Sequence, residues 1–102
     1  MIHVIAVITA KPGQRATILG HFNANVPAVR AEKGCIEYGA AVDADPALGF
    51  QARIGADTFM VVEKWESMDA LKAHAAASHM AAYAAKTKEL VANRLIHILS
   101  PA

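Results

Sequence analysis

Apolar positions along this chain follow two rhythms, one of period two and one near 3.6, and the switches between them mark out six elements. Residues 2–10, IHVIAVITA, are β-branched and apolar at odd and even positions alike, which predicts a strand covered on both sides. Lys11-Pro12-Gly13 ends it. From Gln14 to Lys33, Ile18, Leu19, Phe22, Val26 and Val29 recur at steps of three and four, predicting an amphipathic helix that Gly34 stops. Pro27 removes the helical hydrogen bond to the carbonyl of Asn23, so a kink is expected there. Residues 35–42, CIEYGAAV, set Ile36, Tyr38, Ala40 and Val42 against Cys35, Glu37, Gly39 and Ala41, a second strand with one better-covered face.

Residues 43–57 are rich in turn formers and form a long connection that could extend the hairpin at Gln51–Ile54. Residues 58–66, TFMVVEKWE, predict a third strand with Phe59, Val61, Glu63 and Trp65 on one face and Met60, Val62 and Lys64 on the other. Ser67 is a good N-cap, Asp69 suits a first helical turn, and the alanine-rich run from Met68 to Leu90 is helical, with Ser78 able to cap it afresh. Residues 94–100, RLIHILS, supply the last strand. The order β-α-β-β-α-β is that of an α+β, ferredoxin-like single domain: an antiparallel sheet with its helices on one face.

Composition adds a second copy to this picture. Apolar residues make up 55% of 102 positions and charged residues 19%, more apolar surface than so short a chain hides within itself. The strands offer apolar side chains to both sheet faces, and a homodimer packed through the bare sheet face would cover the second. A net charge of +1 with mixed signs gives no footprint for nucleic acid. The apolar runs are far below the roughly 20 residues that span a bilayer, and MIHVIAV lacks the basic start of a signal peptide, so no membrane association and a cytoplasmic location are expected. The single cysteine, Cys35, excludes an internal disulfide and reads as a small core hydrophobe.

Several residues together bear a family likeness. Gly34, Cys35 and Tyr38, then Glu63 and Trp65, then Ala70, Leu71, His74, Ser78 and His79 resemble, in order and spacing, the pattern of the antibiotic biosynthesis monooxygenase (ABM) domain family. The likeness covers nearly the whole chain, because the element order agrees as well. It implies a dimeric α/β barrel and, as in the quinol monooxygenase-like members, an oxygenase working without a cofactor on quinols or polycyclic phenols. Haem-degrading relatives rely on an asparagine in the first strand and a histidine late in the last helix. This sequence has Ala6 and its neighbours in the first place and alanines in the second, which disfavours that reaction.

Triplet oxygen reacts slowly with closed-shell organic molecules, so without metal or flavin the substrate itself must supply the electrons. Deprotonating a phenol or quinol allows that, and the site then needs a base, an apolar water-excluding cavity and donors for the anion. His79, His74 and Glu63 are the candidate catalytic groups, and Trp65, Tyr38, Tyr83 and Asn25 the candidates for binding a small aromatic substrate. On an unbroken helix His74 and His79 stand about 140° apart. They also miss the i, i+4 spacing of a helical zinc site, so no metal is expected, and the family resemblance implies no other cofactor. The same wheel places His79 with Met68, Leu71, Ala75 and Ala82 toward the sheet and His74 at the edge, making His79 the better inward candidate. Glu63, if covered by the helices, needs a partner such as His79, Lys72 or Arg94. Each residue also has a packing explanation: half-buried histidines, a core tryptophan, a strand-end ion pair, tyrosines with hydroxyls at the surface. The alternative function is a non-catalytic dimeric module that binds a small apolar ligand such as a quinone or haem. A third, an isomerase or lyase on a related barrel, rests on fold analogy alone.

Overall fold

The strands β1 (Ile2–Ala10), β2 (Cys35–Ala41), β3 (Thr58–Trp65) and β4 (Val91–Leu99) and the helices α1 (Arg15–Arg30), α2 (Met68–Ala75) and α3 (Ser78–Thr87) make up a computed structural model that describes residues 1–102. The strands form one sheet in the order β2-β3-β1-β4, every neighbouring pair antiparallel. This is the ferredoxin-like α+β arrangement.

Period two decides which residues meet the helices. Val4, Ala6, Ile8 and Ala10 of β1 and Phe59, Val61, Glu63 and Trp65 of β3 share the covered face and are all buried. The buried stripe of α1, Ile18, Phe22, Val26 and Val29, packs onto them, and α1 runs through Pro27 to Arg30. Gly34 has φ +85°, and a Cβ there would lie 2.6 Å from the Cβ of Ala70, so only glycine lets α2 close on the start of β2.

Three features differ from expectation. The helix after Ser67 is two helices: Ser67 Oγ accepts the Ala70 N–H and caps α2, but Ala77 turns extended (φ −65°, ψ 141°) and α3 restarts with no side-chain cap. Ser78 therefore begins α3 and does not cap it. β4 starts at Val91 instead of Arg94, because its ladder with β1 continues to Ala10. No strand forms at Gln51–Ile54: β2 pairs with β3 only as far as Ala41↔Met60, and beyond that the Asp43 carboxylate accepts the N–H groups of Ile54 and Gly55. Those backbone donors hold the Asp43 carboxyl below the usual range and staple the connection.

On the opposite sheet face no helix lies. Ile5, Val7, Met60, Val62, Leu95 and Leu99 alternate with the covered residues, and Leu95 and Leu99 are 53% and 46% exposed. Lys64 pairs with Glu37 on this side at 3.2 Å. No helix of the chain is long and apolar enough to cross a membrane.

Candidate active site

The alanine-rich stretch that made α2 and α3 easy to read as helix also leaves room beneath them. Ala75, Ala76, Ala77, Ala81 and Ala84 face Val4, Ala6 and Ile8 across a cavity of about 720 Å³, with Ile96 and Ile98 of β4 along one side. Side chains of one carbon cannot fill the space between helix and sheet, and none of the helices covers β4, whose Ile96 and Ile98 stay half exposed. The volume suits a small organic ligand.

His74, Glu63, Tyr38 and Tyr83 bring polar atoms to this cavity. His74 is buried at the end of α2, with Nδ1 2.7 Å from Glu32 Oε2. An imidazole that donates through Nδ1 to a carboxylate keeps its lone pair on Nε2, which makes no hydrogen bond and lies 3.9 Å from Glu63 Oε1. The ring is held between Trp65, at 4.6 Å between centroids and tilted 32°, and the edge of Tyr38 at 5.4 Å.

Glu63 is buried by its place on the covered face of β3, and its Oε1 accepts the Trp65 Nε1–H at 2.8 Å. Burial pushes its carboxyl above the ordinary glutamate range, against the opposing pull of that hydrogen bond and of His74. Its partners are thus Trp65 and His74, in place of His79, Lys72 or Arg94. Tyr38 stacks on Phe22 at 5.1 Å, and burial drives its phenol well above the usual range, so it keeps its proton as a donor at neutral pH. Tyr83 meets the edge of Phe22, and burial raises it as well, with Thr87 and Arg94 pulling the other way. Burial likewise keeps the Cys35 thiol protonated.

His79 does not line the cavity, contrary to the helical-wheel expectation. That wheel assumed one continuous helix, and the extended Ala77 restarts α3 with a new rotational phase. His79 lies behind the cavity wall, partly exposed, with Nδ1 3.1 Å from Asn25 Nδ2 and Nε2 3.3 Å from Glu32 Oε1. Asn25 is occupied by His79 and by Met80 Sδ and also does not line the cavity. Trp65 is fully buried beneath His74, supporting the ring and Glu63 without forming a wall of the cavity.

Glu32 is the residue that sequence reasoning missed. It stands just past the C-terminus of α1, next to the C-cap Ala31, where the negative end of the helix dipole disfavours a carboxylate. An acidic residue placed against the dipole needs compensation elsewhere. Two histidines provide it, and that misplacement was the available signal. No set of three His, Cys, Asp or Glu side chains is arranged to hold a metal ion.

Comparison with known proteins agrees with this architecture. Residues 1–86 match the profile described as "Antibiotic biosynthesis monooxygenase". "Probable quinol monooxygenase YgiN" of Escherichia coli K12 is 39% identical over 103 aligned positions, covering 99% of this chain and 98% of its own length. Among solved structures, PA3566 from Pseudomonas aeruginosa superposes with a TM-score of 0.82 at 28% identity, covering 99% of this chain and 93% of that one. Rv0793 from Mycobacterium tuberculosis gives 0.81 at 25%, covering 99% and 94%. Both the profile match and the relative of nearly equal length carry the same conclusion: the chain belongs to the antibiotic biosynthesis monooxygenase family.

Proposed function

We propose that this protein is a cofactor-independent monooxygenase that oxidises a small electron-rich aromatic, a quinol or phenol, with O₂. The observation that carries the reading is a buried histidine lining an apolar cavity, its Nδ1 fixed by a carboxylate and its Nε2 without a hydrogen bond. His74 takes the phenolic proton. The electron-rich ring carbon then delivers electrons to O₂ and acquires an oxygen, and water leaves. For a quinol the balance is quinol plus O₂ to hydroxyquinone plus water. Tyr38 and Tyr83 donate to the substrate oxygens, while Glu63 and Trp65 hold the imidazole.

A homodimer through the bare sheet face completes the proposal. Ile5, Val7, Met60 and Val62 form the centre of a face that a second copy would cover, as in the barrel the family resemblance implies.

The experiment is oxygen uptake by metal-stripped protein with naphthoquinols, using ¹⁸O₂ and mass analysis of product and water. One labelled atom should appear in product and one in water, and His74→Ala should lose at least about a hundredfold in kcat. Ligand binding with no uptake for any quinol would leave a binding module instead, and full activity in His74→Ala would remove the base.

A further inference from the structure

The cavity carries a second polar end that the oxidation does not use. Arg94 on β4 and Lys88, the C-cap residue of α3, both line it, and neither makes a salt bridge or a side-chain hydrogen bond within the chain. Arg94 pairs with Ile8 as Ile96 pairs with Ala6 and Ile98 with Val4, so it shares the cavity side of β4 with those two isoleucines. The register separates this end from Glu63, the neighbour of the base His74. Arg94 flanks Ile8 whereas Glu63 flanks Val4 from the other side of β1, which is four residues, or about 13 Å, along the strands and two strand spacings, about 10 Å, across.

We infer that Arg94 and Lys88 form an anion subsite, and that the substrate is an elongated aromatic with its oxidisable hydroxyl at one end and a carboxylate or similar anionic group at the other. Two unpaired cations beside an apolar cavity attract an anion, and a planar guanidinium matches a carboxylate with two parallel hydrogen bonds. A single ring covers only part of the separation between these backbone positions. A fused-ring system with an acidic arm reaches further, and the alanines of α2 and α3 facing Val4, Ala6, Ile8, Ile96 and Ile98 suit its apolar body. The subsite also orients the molecule: the acid is drawn toward Arg94 and away from Glu63, whose carboxylate would repel it, so the hydroxyl faces His74.

The inference rests on the oxygenase reading for the identity of the reacting group, but its test does not require turnover. Binding of 1,4-naphthoquinone and of a naphthoquinone bearing a carboxylate-terminated side chain is measured by calorimetry and Trp65 fluorescence in wild type and in Arg94→Gln/Lys88→Gln. The acidic compound should bind roughly ten- to a hundredfold more tightly than the neutral one in wild type, an advantage that shrinks with added salt and falls to near unity in the double variant. Equal affinity of the two compounds in wild type, or an advantage that survives the double substitution, overturns the subsite. Oxygen uptake is followed in parallel with the two quinols. A binding preference without uptake keeps the subsite and removes the oxygenase reading, and uptake without a preference does the reverse.

Discussion

Replacing Glu32 by glutamine tests whether this half-buried carboxylate works on the reaction or merely fills space. The side chain keeps its shape and its acceptor oxygen, so a hydrogen bond to His74 Nδ1–H survives and the fold should hold. What disappears is the negative charge 2.7 Å from a ring that becomes cationic as it takes the substrate proton. Two unit charges about 4 Å apart at an effective dielectric of 20 interact by about 4 kcal/mol. The amide dipole retains part of this, so the loss is about 2–4 kcal/mol, equivalent to roughly thirty- to ninehundredfold in rate. The interaction strengthens only as the proton moves, so the loss should fall on kcat with KM little changed. Oxygen-electrode assays of Glu32→Gln and Glu32→Asp across pH, with unfolding curves as a control on integrity, supply the measurement. A Glu32→Gln enzyme within threefold of wild type in kcat, or one whose defect lies wholly in KM, refutes the idea that Glu32 supports the charged imidazole.

Two further outcomes follow from the same geometry. Because burial raises the Glu63 carboxyl above its unfolded value of 4.5, the wild-type fold is favoured by protonation and loses stability as pH rises through the folded value. Glu63→Gln cannot titrate and still offers an oxygen to Trp65 Nε1–H, so its Tm relative to wild type should climb between pH 4.5 and 8. A chain of this size moves by about 4–8 °C per kcal/mol, well within reach of scanning fluorimetry, and a pH-independent difference would count against a strained buried charge. Val62→Asp places a carboxylate in the middle of the bare sheet face. Light scattering should show wild type near twice the 10.8 kDa chain mass and the variant near one, whereas an unchanged mass would move the interface elsewhere.

Why His79 looked like the inward histidine and His74 proved to be is a question of where local rules end. The strands were legible because period two ties every residue's face to its neighbours'. Once Phe59 and Val61 turn inward, Glu63 and Trp65 must follow, and the 2.8 Å bond between them is a consequence of that parity. Helical phase is equally rigid, but only inside an unbroken helix. Ala76 and Ala77 are strong helix formers and only Ser78 hints at a restart, so angular reasoning carried unbroken from Met68 to His79 accumulated an error just before it. The break is decided by tertiary geometry: α2 packs at Gly34 beside β2, α3 against α1, and one straight rod cannot do both. Glu32 shows the complementary gap. It is 42 residues from His74 in sequence, and only the docking of α2 beside the end of α1 brings the carboxylate to Nδ1. The cavity has the same origin, since alanines predict a helix but give no measure of its height above the sheet. The candidate residues other than Glu32 were therefore readable one by one, while their arrangement around the cavity comes from three helices competing to cover one face of four strands.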